Sequence, residues 1–467
     1  MNNILSQSID TNKIFIVNFM TLEERLDPEF YNKRIDTSNY IKLSKIAQVK
    51  GGKRIPLGYD YSAEETNNLY FRVVNIDEYK DIDFSNCKYI SDELYLILHR
   101  YEIFNNDLII SIAGTIGKIK LINQIPIGKK VILTENCAKI ILKNENILPQ
   151  YFELVLQTSF MQKQIQLGYI QTTIPKLGLD KILNLYFPPI PTAEQQRQLI
   201  MKYQEAYQKK QQKEAMADEL FAGIDIYLLN ELKIALPQKE NSLKDRIFVV
   251  SFREITENRF DPNYYNYKIQ EIKKQFKMKF KECVADLYRY PTFYDISYKD
   301  RGIRIIKGEN IDRYGNIDLS QDFDFVDIKT HNEFVRTHIK YNDMIFTVRG
   351  IIGKVGIYKS HEPANINANV MRISLKSSVN PDFYWNYLNS SVGQILINSL
   401  SSGQVQKTIT VKDILNIPVP FPPLTKQNQI ANYIQKIRIK AKNLQEEAQN
   451  ILEQAKNEVE QIILGEQ

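Results

Sequence analysis

Two short segments carry residue types associated with methyl transfer to an amino group. Asp27-Pro28-Glu29-Phe30-Tyr31 and Asp261-Pro262-Asn263-Tyr264-Tyr265 approach an Asp-Pro-Pro-Tyr loop, but Glu29 and Asn263 stand where the second proline belongs. No glycine-rich strand-to-helix turn precedes either one to hold a nucleotide-like cofactor, so Asp27 and Asp261 read as capping or packing residues. Gly114-Thr115-Ile116-Gly117-Lys118 and Gly350-Ile351-Ile352-Gly353-Lys354 are too short for a nucleotide phosphate loop, and neither Lys118 nor Lys354 is followed by Ser or Thr. A G-x-S-x-G elbow is missing, and Pro381-Asp382 has no E-x-K continuation to place metal-binding carboxylates. His99, His331, His338 and His361 lack H-E-x-x-H spacing, and Cys87, Cys137 and Cys283 form no C-x-x-C pair. The expectation is a chain with no catalytic centre, no metal and no cofactor of its own.

Other loops suit a polyanion. Lys50-Gly51-Gly52-Lys53-Arg54 puts three cations on a permissive backbone, so the chain could approach phosphates while Arg54 reaches a guanine edge; the plain alternative is a solvated turn. The second half offers Arg289-Tyr290-Pro291-Thr292 and Arg301-Gly302-Ile303-Arg304. Gln171-Thr172-Thr173 near Lys176, and Gln404 with Gln406-Lys407-Thr408, supply amide and hydroxyl groups for adenine edges or phosphates, against helix or turn capping by Thr173 and Thr408. Ser111, Thr115 and Lys118 in one half, and Arg349 and Lys354 in the other, complete the expected DNA-binding set.

The elements that must position these residues are duplicated. A length of 467 residues suits two or three domains, and 43% hydrophobic with 25% charged residues is the composition of a folded globular protein. Lys plus Arg number 61 against 55 Asp plus Glu, a net charge of +6 that permits a polyanionic partner without demanding one. Arg25-Leu26-Asp27-Pro28 returns as Arg259-Phe260-Asp261-Pro262, an offset of 234. Asn75-Ile76-Asp77 returns as Asn310-Ile311-Asp312, and Asn106-Asp107-Leu108-Ile109 as Asn342-Asp343-Met344-Ile345, at offsets of 235 and 236. Gly168 with Gln171 matches Gly403 with Gln406, and Phe187-Pro188-Pro189 matches Phe421-Pro422-Pro423. Five collinear matches indicate one architecture used twice with divergent surfaces.

Each half reads as strands, then helix, then a long helix. β-Branched runs at Leu69 to Ile76, Asp107 to Ile112 and Ala138 to Leu142 argue strands, matched by the stretch Ile303 to Leu375. Helices open on Pro149 and Pro381 and are expected to run to Gln166 and Leu400. Past the second Pro-Pro, Ile430, Ile434, Ile437, Ala441, Leu444, Ala448, Ile451 and Ala455 repeat as a coiled-coil seam. Past the first, Leu199, Tyr203, Ala206, Ala217, Leu220, Ile224 and Tyr227 continue a seam interrupted by Lys210 and Lys213. Each such helix of about 40 residues would form a rod of roughly 60 Å, holding two domains at a set distance. Tyr207, Phe221, Tyr433 and Ile439 are candidate outward-facing partner contacts. Apolar runs such as Leu108 to Ile116 are short of the roughly 18 residues of a membrane span, and Met1 to Asp10 lacks a signal pattern, so a soluble cytoplasmic protein is expected.

Two divergent domains, each ending in a Gly-x-x-Gln-x-x-Ile loop, a Pro-Pro segment with a nearby glutamine (Gln195, Gln427) and a long helix, resemble the specificity subunit of type I restriction-modification enzymes over nearly the whole chain. The resemblance implies an α+β fold: two pseudo-repeated mixed α/β target-recognition domains separated by two long helices that form an antiparallel coiled coil. The domains would span 1–191 and 239–423, with spacer helices at 192–238 and 424–467. It further implies a non-catalytic subunit that binds a bipartite, asymmetric double-stranded DNA target and directs methylation subunits, two per chain, and restriction subunits to it. S-adenosylmethionine, ATP and magnesium would belong to those partners. The alternatives are a subunit of a related methylase-nuclease system, or a protein scaffold that binds no DNA.

Overall fold

In the computed structural model, residues 39–76, 82, 84–169, 175–237, 247, 249–255, 262–289, 297–320, 322–400 and 408–465 are described. They fall into two compact units: unit 1 runs to Gln211 and takes in the chain again from Ala448, and unit 2 is Gln212–Glu447.

Unit 1 holds β1 (Ile41–Lys42), β2 (Ala47–Gly51), β3 (Asn68–Phe71), β4 (Lys88–Ile90), α1 (Asp92–Leu98), β5 (Glu102–Ile103), β6 (Leu108–Ser111), β7 (Ile119–Leu121), β8 (Lys130–Leu133), β9 (Cys137–Leu142), α2 (Pro149–Leu156), α3 (Ser159–Leu167), α4 (Leu179–Leu183), β10 (Tyr186–Phe187) and the start of α5 (Ala193–Leu232). An antiparallel sheet has the order β2-β9-β6-β7, and a second sheet has the order β4-β3-β8-β5 with β3 parallel to β8. The unbroken apolar run of β6 follows from its place between two cores. Alternate residues of a strand face opposite ways, so Leu108 and Ile110 enter a core with Tyr151, Phe152 and Phe187, while Ile109 enters another with Leu69, Phe71 and Val131.

Unit 2 repeats this plan with α6 (Pro262–Tyr265), α7 (Tyr267–Lys274), β11 (Met278–Lys279), β12 (Val284–Arg289), β13 (Ile303–Ile306), β14 (Asp324–Val326), α8 (Ile328–Glu333), β15 (Met344–Thr347), β16 (Val355–Ile357), β17 (Ala364–Ile366), β18 (Val370–Leu375), α9 (Pro381–Asn389), α10 (Ser391–Leu400), α11 (Val411–Leu415), β19 (Pro418–Val419) and the start of α12 (Leu424–Leu464). Its larger sheets are β12-β18-β15-β16 and β14-β13-β17, with β13 parallel to β17, and β11 pairs antiparallel with β19. Met344 and Phe346 face one core and Ile345 another, as in β6. The single helices expected after Pro149 and Pro381 are each two helices. Thr158 Oγ1 accepts from the Met161 amide at 3.3 Å, and Ser390 Oγ from the Gly393 amide at 3.2 Å, so each hydroxyl starts a new helix where the sequence suggested continuity.

The long helices α5 and α12 contribute to both cores. In unit 1, Leu199 shares a core with Val459 and Ile463, and Lys202 lies 2.6 Å from Glu458. In unit 2, Ile224 and Leu228 pack with Ile430 and Ile434, the Tyr227 and Tyr433 rings are 4.2 Å apart, and Lys213 reaches Glu447 at 2.6 Å. The charge that interrupts the α5 seam is therefore paired at Lys213. Past Ala448 the buried positions are Leu452, Ala455, Val459 and Ile463, with Ile451 half-buried. The buried glutamines are Gln196 and Gln427, each accepting from the amide before a proline helix start, Leu148 at 2.8 Å and Asn380 at 2.9 Å. Gln195 instead caps Thr192.

Candidate nucleic-acid interface

The repeated glycine loops are built from the inside. Asn106 and Asn342 enter the strands at φ 70° and 71°, Gly114 and Gly350 turn at 74° and 75°, and Gly117 and Gly353 at 90° and 84°, conformations that favour Gly and tolerate Asn. Ser111 is fully buried; its hydroxyl donates to Thr115 O at 2.5 Å and accepts from the Lys118 amide at 2.9 Å. Thr347 does the same for the Lys354 amide at 2.9 Å. Ser111 was expected to touch DNA, and burial corrects that: its hydroxyl shapes the loop. Thr115 is exposed and Lys118 half-buried. Lys354 donates its ammonium to Ile311 O at 2.8 Å, so it braces the fold.

A backbone bridge ties each loop to the segment before the next short helix. Ala113 bridges Lys176 in unit 1, and Arg349 bridges Thr408 in unit 2. The same scaffold position thus carries its cation on opposite sides of the bridge in the two units. Lys176 is exposed. Arg289, half-buried at the end of β12, has its guanidinium pKa lowered by burial and by the nearby positive charge of Arg349. Among the described residues neither arginine has a carboxylate partner, an arrangement that favours an incoming anion.

The backbone of the Lys50 to Arg54 segment packs closely against the rest of unit 1. A Cβ on Gly52 would lie 2.0 Å from Thr134 O, so this glycine is required by close approach to the protein's own β8 end. Lys53 O accepts from the Tyr70 hydroxyl at 2.6 Å. Arg54 is bound by Glu135 at 2.6 Å, a hydrogen bond that raises the guanidinium pKa. Lys50 and Lys53 side chains are exposed. In unit 2, Arg301 is exposed, whereas Arg304 is ion-paired with Glu362 and lies 5.7 Å over the Phe323 ring. Its charge is thereby neutralised, which the sequence did not show.

Gln171, Thr172, Tyr290, Thr292, Gln404, Gln406 and Lys407, with Asp27, Asp261 and Thr173, lie outside the described residues. Of the residues expected to face partners, Tyr433 and Ile439 are exposed, Tyr207 is half-buried, and Phe221 is stacked on Tyr314 at 3.7 Å. Two cations that the sequence reading passed over also occupy matching stations: Arg72, directly after β3, and Lys307, directly after β13. Their amides donate to Asn75 Oδ1 at 2.9 Å and Asn310 Oδ1 at 2.8 Å. The signal was present in the Asn-Ile-Asp repeat, whose asparagine fixes the residue three positions earlier.

Among the described residues no group of three or more His, Cys, Asp or Glu side chains could hold a metal ion, and no helix is long and apolar enough to cross a membrane. The family model described as the type I restriction modification DNA specificity domain matches residues 36–219 and 300–454. The type I restriction enzyme EcoBI specificity subunit of Escherichia coli is 28% identical over 116 residues, 25% of this chain and 24% of that protein. The type I restriction enzyme MjaVIII specificity subunit of Methanocaldococcus jannaschii is 26% identical over 325 residues, 67% of this chain and 69% of its relative. A crystal structure of the type I restriction-modification S subunit from M. genitalium aligns with 90% of this chain and 95% of its own at 11% identity and a TM-score of 0.39.

Proposed function

Because the chain belongs to the type I restriction modification DNA specificity domain family, we propose that it is the non-catalytic specificity subunit of a type I restriction-modification complex, recognising a bipartite, asymmetric DNA target. Each unit reads one half of the target, and the chain directs two methylation subunits and the restriction subunits to it. S-adenosylmethionine, ATP and magnesium act in those partners.

The observation that carries this reading is one scaffold presenting unlike side chains. The loop bridge is Ala113 with Lys176 in unit 1 and Arg349 with Thr408 in unit 2. Two readers on one frame suit a target whose halves differ, since phosphate contacts position a protein while base-edge contacts specify sequence. Lys50, Lys53, Thr115, Lys118 and Lys176 are the DNA contacts assigned to unit 1, and Arg289, Arg301 and Arg349 those assigned to unit 2.

The long helices are assigned as an antiparallel coiled coil. Within unit 2, contacts advance from Lys213 to Tyr227 on α5 as they recede from Glu447 to Tyr433 on α12. Within unit 1, Lys202 meets Glu458 beside Leu199, Val459 and Ile463. Exposed Tyr433 and Ile439 are surfaces for the methylation subunits. A footprint of the full chain with its methylation subunits on its own genomic DNA tests the function: two protected patches separated by an open gap are expected, and protection independent of sequence would refute it.

A further inference from the structure

Unit 1 has a surface cleft of about 680 Å³ whose lining includes Arg54, Leu57, Tyr61, Tyr70, Arg72 and Val74. Its chemistry is unusual for an idle surface. Leu57 and Val74 are largely exposed, and Tyr61 is partly so. The Arg72 guanidinium lies 5.9 Å over the Tyr61 ring, which is itself 5.9 Å from Tyr70. Arg72 Nε is buried and without a hydrogen-bond partner among the described residues, an arrangement that costs stability unless a ligand completes it. Arg54, by contrast, is already held by Glu135.

The same station in unit 2 has the opposite electrostatics. Lys307 lies 5.4 Å over the Tyr298 ring, but it is ion-paired with Asp324 and lies 3.4 Å from Glu309. Strand register fixes the comparison: Asp324 pairs with Ile305 on β13, whereas Lys88 pairs with Tyr70 on β3. Two residues past each cation stand Glu309 and Val74. Unit 1 therefore presents an open cation among aromatic and apolar groups where unit 2 presents a neutralised one.

We propose that Arg72, oriented over Tyr61, reads a guanine in the half-site of unit 1, and that Lys307 makes no equivalent contact in unit 2. A guanidinium presents two donors to the O6 and N7 of guanine, and a ring beneath it reduces the freedom lost on binding. Leu57 and Val74 offer apolar contact to neighbouring thymine methyl groups. The inference rests on the DNA-specificity reading above.

The test uses the full chain co-expressed with its methylation subunits. Single-molecule sequencing first gives the methylated motif; methylation rates are then measured on duplexes in which each motif guanine is replaced in turn by 7-deazaguanine, which lacks the N7 acceptor. The wild type should slow roughly 10-fold or more at one guanine of one half, and Lys307→Ala should match it. Arg72→Ala should be slow on the unmodified duplex and indifferent to that replacement, with its melting temperature checked alongside. Should Arg72→Ala abolish methylation, Arg72→Met, which keeps an extended side chain without any donor to N7, should show the same indifference. A sequence-specific wild type with Arg72 variants that keep the full penalty, or a wild type insensitive at every guanine, overturns this assignment alone. Wild-type methylation without any motif overturns the specificity reading beneath it.

Discussion

The carboxylate of Glu460, near the end of α12, caps the N-terminus of α3: it accepts from the Ser159 amide at 3.1 Å, the Ser159 hydroxyl at 2.6 Å and the Phe160 amide at 2.9 Å. Unit 2 has the counterpart, with Asp225 of α5 accepting from the Ser391 amide at 2.8 Å. An acidic side chain here satisfies amides that the helix itself leaves unbonded and complements its dipole. Unit 1 is thus closed by residues some 300 positions away in sequence.

Glu460→Ala should destabilise unit 1 by about 1–2 kcal/mol and expose the Ser159 and Phe160 amides to hydrogen exchange. Unchanged protection at those two amides would contradict the cap. A chain cut before Thr192 loses Val459 and Ile463 from the unit 1 core as well, so it should fold poorly even though every strand of unit 1 is retained.

Asp343 and Arg372 form a buried pair, 3.4 Å apart and 3% and 4% exposed, and Asp343 also accepts from the Lys340 amide at 2.8 Å and the Ser374 hydroxyl at 2.5 Å. Unit 1 repeats the pair as Asp107 and Lys139 at 3.5 Å. Removing Asp343 leaves the Lys340 amide and the Ser374 hydroxyl without their acceptor while Arg372 keeps its ion pair with Asp286, so Asp343→Ala should cost about 1–3 kcal/mol in denaturant unfolding. A loss below about 1 kcal/mol would mean that water or another acceptor reaches those two donors.

Asp286 also binds Arg372, and this hydrogen bond holds its carboxyl below the usual range. A depressed folded-state pKa adds stability that is present above the unfolded value and lost as pH falls through the folded one. The wild type should therefore exceed Asp286→Asn in stability above about pH 4 and converge with it in more acid solution. Because Asp286 is largely exposed, solvent screening keeps the difference below about 1 kcal/mol. A gap that widens on acidification would contradict the assignment.

Tyr151 is fully buried, and its hydroxyl has no hydrogen-bond partner among the described residues; burial raises its pKa. Tyr151→Phe should be neutral or stabilising by about 1 kcal/mol, because it removes an unsatisfied polar atom and keeps the ring. A drop of more than about 1 kcal/mol in thermal unfolding would reveal a partner for that hydroxyl.

Which features were legible in the sequence follows from what fixes them. The duplication was readable because its landmarks are backbone necessities: Asn106 and Asn342, Gly114 and Gly350, and Gly117 and Gly353 all sit at positive φ, where few residues substitute. The long helices were readable from periodicity, down to the paired polar break at Lys213. Charge neutralisation was not, because it depends on side chains far apart in sequence: Arg54 finds Glu135 and Arg304 finds Glu362. Arg72 and Lys307 escaped notice for the same reason, since their shared station is set by strand register and by Asn75 and Asn310. The division of each long helix between two cores is likewise a tertiary fact, invisible to a linear list of domains.

The most direct measurement is single-molecule sequencing of adenine methylation in DNA from cells that express the full chain with its methylation subunits, beside cells lacking only this chain. Two unlike half-motifs at a fixed gap, methylated only when the chain is present, are predicted. One contiguous motif, or methylation that persists unchanged without the chain, would contradict the assignment of target choice to its two units.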